Sequence, residues 1–301
     1  MRRIALLSTV ALLAACGDSS TSPGTGSLRV ANLSPDLVSA GAGIDFCIVP
    51  TGGSFAGKTG VVASFGLTGA QGLIFGGTSD GSAAVSKYFP YSAGTYDVRV
   101  IGVGLSGSTC ETPLLSLNGV VINGDTKVTV GAIGHLPLTG PSTGGHALRA
   151  WTDTATVAAG KVAARFINTG FLSLGTALVV LPAYDIVSAT AGGNNVLLAN
   201  IAYPGPGTGT SVDANGYIVA DPSILTGATL YACATGNKPP DPRCATFALP
   251  AGFGNVANKV ASVFNVGTAV IPPGTPTPPL AILCGDNEPD LGVPYSACVG
   301  Q

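Results

Sequence analysis

The feature that most limits how this chain can fold is that it repeats itself. Arg29-Val30-Ala31-Asn32 returns as Arg165-Phe166-Ile167-Asn168. Further on, Gly94 meets Gly227, Ile133-Gly134 meets Val266-Gly267, and Asp153 meets Asp286, all at an offset of 133. Pro50, closing DFCIVP, meets Pro182, closing ALVVLP, and Cys110 corresponds to Cys244 within one residue. A period near 133 in a chain of 301 residues leaves room for two copies of one domain.

The pattern inside each copy is that of strands. In Thr95-Tyr96-Asp97-Val98-Arg99-Val100 the apolar side chains point one way and the charged ones the other, the period of two of a strand with one solvated face. Similar readings hold for residues 28–31, 45–49, 127–130, 147–151, 162–167, 177–181, 228–233, 259–264 and 280–283. Clusters of Gly, Pro, Ser, Thr and Asn between them supply turn chemistry. Helical alternatives lack their surface residues: charged side chains are 9% of the chain, against about a quarter in an ordinary soluble protein, and there are two Glu, Glu111 and Glu288. The expected fold class is all-β, with two tandem antiparallel β-sandwiches of ordinary domain size. The boundary falls in TATVAAG, residues 154–160, giving domains at 28–157 and 158–301. PPGTPTPP, residues 272–279, falls where LTGPSTGG lies in copy one, so it reads as a loop before the last strand of domain two.

Residues 1–15 carry Arg2 and Arg3, an apolar run from Ile4 to Ala15, and small residues before Cys16. That is the layout of a secretory signal, and a 12-residue apolar run is too short to span a bilayer. Leu13-Ala14-Ala15-Cys16 resembles the lipobox of bacterial lipoproteins, which implies acylation of Cys16 and anchoring in the lipid bilayer. Gly17 after the cysteine, rather than an Asp retention signal, points to the outer membrane or cell surface. Residues 16–27 hold no large apolar side chain and read as a flexible tether. Without Arg2 and Arg3 the 13 basic residues fall to 11 against 15 acidic ones. A mildly acidic chain with no basic cluster is not a nucleic-acid binder.

Seven cysteines less Cys16 leave Cys47, Cys110, Cys233, Cys244, Cys284 and Cys298, an even number that reads as three disulfides in an oxidising compartment. Six cysteines allow 15 connectivities. Short spacings suggest Cys233 with Cys244 and Cys284 with Cys298, which leaves Cys47 for Cys110. No pair has zinc-knuckle spacing, so neither a metal nor another cofactor is expected.

LRVANLSPD, SAGTYDVRV and AAGKVAARFIN, with strands ending in Ile-Gly and in Thr-Asp, resemble a bacterial extracellular family catalogued as domain of unknown function 4397. The resemblance covers about residues 27 to 290 and is stronger in copy one; Asn168-Thr169-Gly170 departs from Ser34-Pro35-Asp36. It implies Ig-like β-sandwiches, often in tandem behind a lipoprotein signal. It supplies no catalytic residue.

Three local motifs invite a chemical reading. Gly77-Thr78-Ser79-Asp80-Gly81 has the form of a nucleophile elbow, but no helical pattern comes after it. Gly102-Val103-Gly104-Leu105-Ser106-Gly107 has the form of a dinucleotide loop, yet the next residues include Cys110 and Pro113 and form no amphipathic helix pattern; a hairpin loop fits better. Asp286, Glu288 and Asp290 could offer oxygens to calcium but lack EF-hand spacing, and read as an acidic, disulfide-pinned tail. Trp151, the only tryptophan, reads as a core plug rather than a sugar platform. The expectation is a non-enzymatic envelope lipoprotein for adhesion, ligand binding or envelope structure, with an envelope protein or glycan as partner. The alternative is a secreted serine hydrolase using Ser79 with His135 or His146.

Overall fold

Each copy of the repeat folds into two sheets that face each other. The computed structural model describes residues 24–34, 37–38, 42–64, 72–75, 84–134, 145–174, 177–180, 183–209, 211–223, 229–247, 258–267, 280–287 and 298–300. Copy one contains β1 (Thr25–Asn32), β2 (Ile44–Pro50), a four-residue helix α1 (Val61–Ser64), β3 (Phe89–Ser92), β4 (Gly94–Gly102), β5 (Leu115–Ile122), β6 (Lys127–Ile133) and β7 (Ala147–Thr152). They form sheets of order β3-β1-β6-β7 and β2-β4-β5. Copy two contains β8 (Val162–Asn168), β9 (Phe171–Leu174), β10 (Ala177–Val180), β11 (Tyr184–Thr190), β12 (Gly193–Ile201), β13 (Ile218–Ala220), β14 (Thr229–Ala234), β15 (Cys244–Phe247), β16 (Val260–Gly267), β17 (Leu280–Gly285) and β18 (Cys298–Gly300). Its sheets run β13-β8-β16-β17-β18 and β12-β11-β14-β15, with β9 and β10 paired as a separate hairpin.

The two orders superimpose. β8, β16 and β17 take the places of β1, β6 and β7; β11, β14 and β15 those of β2, β4 and β5. The chain is all-β, but not purely antiparallel. β1 runs parallel to β6, and β8 parallel to β16, so the larger sheet of each copy is mixed.

Within copy one, Leu28 and Val30 of β1, Phe46 of β2, Val98 and Val100 of β4 and Val130 of β6 close one core between the sheets. Along β4, Tyr96, Val98 and Val100 are buried while Asp97 and Arg99 are half-buried on the other face, as the alternation predicts. Copy two builds its own core from Val162, Phe166, Ile186, Leu230, Val263 and Leu283.

Three sequence readings change. Residues 25–27, read as the end of the tether, belong to β1: they pair with Ser92, Tyr91 and Pro90 through the backbone, which needs no large side chain. The expected solvated faces of β1, β6 and β8 are covered, because Arg29, Thr129 and Arg165 are buried where the larger sheets of the two copies meet. A third core joins the copies there, with Leu33, Ile133 and Trp151 from the first and Phe264, Val266 and Ile282 from the second. Finally, the counterpart of DFCIVP is β11 rather than ALVVLP, whose strand β10 pairs only with β9.

Candidate functional site

Among the described residues, a dense group of buried charged and polar side chains lies at this junction. In a strand, alternate residues point to opposite faces, so Arg29 lies between Leu28 and Val30 yet faces away from their core. Its register neighbour on β6 is Thr129; the register neighbour of Arg165 on β16 is Ser262. Asp153 comes directly after β7 and Asp286 directly after β17. The elements therefore bring the same three-residue arrangement to the junction twice.

The bonds cross between the copies. Arg29 donates from Nε to Thr129 Oγ1 at 2.6 Å and from Nη2 to Asp286 Oδ1 at 2.6 Å. Arg165 donates from Nε to Ser262 Oγ at 2.8 Å and from Nη2 to Asp153 Oδ1. Each arginine thus holds a hydroxyl of its own copy and a carboxylate of the other. The second oxygen of Asp153 accepts from the Thr129 and Tyr88 hydroxyls, and that of Asp286 from Ser262 and Tyr217. The guanidinium of Arg29 also lies 4.7 Å from the Tyr88 ring centroid, and that of Arg165 lies 4.5 Å from that of Tyr217. Lys127 Nζ donates to the main-chain oxygen of Asp286 at 2.6 Å.

Burial works against the Arg29 charge, but Tyr88, Asp153 and Asp286 outweigh it and raise its pKa above the usual guanidinium value. The same balance, with Tyr217 as the largest attractive partner, raises that of Arg165. Burial pushes the Asp286 carboxyl upward against the pull of Arg29. Burial also lifts both tyrosines well above the usual phenol value, so they donate as neutral hydroxyls. A carboxylate that already accepts from one guanidinium and two hydroxyls has little capacity left for a substrate or a cation. The arrangement is one that joins two surfaces.

Compared with family models and with curated proteins, the chain matches none.

Disulfides join Cys47 to Cys110, Cys233 to Cys244 and Cys284 to Cys298, the pairing the spacings suggest. Cys233 and Cys244 are direct register partners on β14 and β15, as are Cys284 and Cys298 on β17 and β18. The matched half-cystines Cys110 and Cys244 therefore reach different strands in the two copies, β2 in one and β14 in the other. Cys16, Ser79, His135, Glu288 and Asp290 lie outside the described residues, and His146 is half-buried just before β7. Gly104 and Gly107 have positive φ, 74° and 79°, in the turn after β4, which makes Gly102 to Gly107 a loop of tight turns rather than the start of a helix. Trp151 is buried against Phe264, ring centroids 5.6 Å apart.

Asp286 is the principal correction. It is not an exposed member of an acidic tail but an interior counter-charge, 1% exposed. Among the described residues no three His, Cys, Asp or Glu side chains gather as a metal site. Sequence reasoning finds Arg29 with Arg165 and Asp153 with Asp286 as repeat matches without linking them to one another. The available signal is that charged residues recur at fixed places in a chain otherwise poor in charge.

Proposed function

We propose that this chain is a non-enzymatic lipoprotein of the cell envelope. In this reading Cys16 is acylated and holds the protein to the bilayer of the outer membrane or cell surface. The two sandwiches, Ig-like in kind as the family resemblance implies, serve as a module for adhesion, ligand binding or envelope structure, with an envelope protein or a glycan as partner.

One observation carries the reading. The charged residues that recur between the copies are buried and engaged with each other at the junction, where they fix two sandwiches back to back. That suits a body that presents its outer surfaces and transmits position from a lipid anchor. Three disulfides suit an oxidising compartment outside the cytoplasm.

The test is Cys16→Ser. The variant is expected to lose metabolic labelling by a fatty acid and to leave the membrane fraction. Label retained on the variant, or a variant still held in membranes, overturns lipid anchoring. Labelling by a serine-directed fluorophosphonate that disappears in Ser79→Ala overturns the non-enzymatic part.

A further inference from the structure

We propose that the junction face is a self-recognition surface whose further partner is a repeat of a second copy of this chain, exchanged for the neighbouring repeat. The reciprocity of the contacts points to this. Arg29 of the first repeat reaches Asp286 of the second, and Arg165 of the second reaches Asp153 of the first. Residue i meets j and its counterpart j meets i, the signature of an isologous two-fold contact. Lone repeats of unrelated origin have no reason to match in this way.

The chemistry makes the pairing selective. Each face presents a guanidinium, a hydroxyl on the next strand, a carboxylate on the one after and a tyrosine over the guanidinium, with apolar residues such as Trp151 and Phe264 beside them. An apolar partner would strand the buried charges. A partner carrying only acidic groups would leave the carboxylates unmatched. A second face of the same design, turned by half a revolution, satisfies every group at once. The join between repeats runs through residues 154–160, where Thr154, Thr156 and Ala158 to Gly160 are exposed while Ala155 and Val157 pack, partly buried, against Ala163, Tyr217 and Val260 of the second repeat.

The test uses the whole chain with a protease site inserted after the exposed Thr156, folded intact and then cut. The first repeat carries an affinity tag. The proposal expects the cut repeats to remain together through washing and gel filtration. It also expects heavy-isotope second repeats from an untagged cut sample to exchange into the tagged pairs over time. Arg29→Met takes from Asp286, and Arg165→Met from Asp153, the guanidinium that donates to it, and each is expected to shorten the lifetime of the cut pair by about a hundredfold. Lys127→Met, at the half-buried rim, is expected to shorten it less and serves where an arginine variant fails to give the β-sheet spectrum before cutting. Wild-type repeats that part on cutting, repeats that never exchange, or variant pairs as long-lived as the wild type overturn the proposal.

Discussion

Asn32 and Asn168 close their first strands with the same two bonds. Asn32 Nδ2 donates to the Leu73 carbonyl at 3.0 Å while its Oδ1 accepts from the Ser34 amide at 3.3 Å. Asn168 donates to the Ile201 carbonyl at 3.3 Å and accepts from the Gly170 amide at 3.2 Å. In each case a buried amide pins a crossing segment and turns the chain just after the strand. The repeated Arg-x-x-Asn motif therefore has two separate duties: its arginine faces the other repeat and its asparagine holds its own. Asn32→Leu keeps the volume but leaves the Ser34 amide without its acceptor and the Leu73 carbonyl with the Ile44 amide as its remaining donor. It is expected to cost about 1–3 kcal/mol of stability, read as a lower urea midpoint with the slope unchanged. An unchanged midpoint would show that the Ser34 amide finds another acceptor. The sequence shows that both residues recur, and alternation puts residues three apart on opposite faces, but which neighbour each face meets is seen only in the fold.

At the level of elements, β6 shows how the junction is shaped. Gly131 lies between Val130 and Ala132, which face the inner core, and its missing side chain leaves room for the ring of Trp151. A Cβ there would come 2.9 Å from Trp151 Cζ3 and 3.0 Å from Leu33 Cδ1. Gly131→Val is thus expected to cost about 1–3 kcal/mol by overpacking and to shift the emission of the sole tryptophan to the red. A blue or unchanged emission with full stability would count against the role assigned to this glycine. The strands most legible in the sequence, such as β4, alternate cleanly because one face meets the core and the other is less covered. β11 is hard to read because its alternation is hidden: Asp185 takes its place among apolar neighbours by accepting the Asn200 and Gly236 amides. Asp45 in β2 does likewise with the Phe46, Val62 and Ala63 amides. An Asp after the first apolar residue of each strand is the clue that matches β2 to β11. The parallel pairs β1–β6 and β8–β16 are not legible at all, because alternation fixes faces and says nothing of strand direction.

For the molecule as a whole, the three disulfides close loops of very different length. Cys47 and Cys110 are 63 residues apart, against 11 for Cys233–Cys244 and 14 for Cys284–Cys298. On a chain-entropy basis the long loop contributes about 4 kcal/mol and each short one about 3 kcal/mol. Paired Cys→Ala replacements should therefore lower the melting temperature most for Cys47 with Cys110, and a joined pair of repeats should still melt in one step. Two steps, or the largest loss at a short loop, would contradict this view. The joining also has a consequence for the order in which the chain is made. β1 is the earliest of the described strands to be synthesised, yet Asp286, bonded to its Arg29, comes 257 residues later. A product that stops short of β17 carries its defect at the opposite end, as a buried guanidinium in β1 that keeps Asp153, 3.6 Å away, but has lost its hydrogen-bonded carboxylate. The arrival of β17 is thus read out in β1.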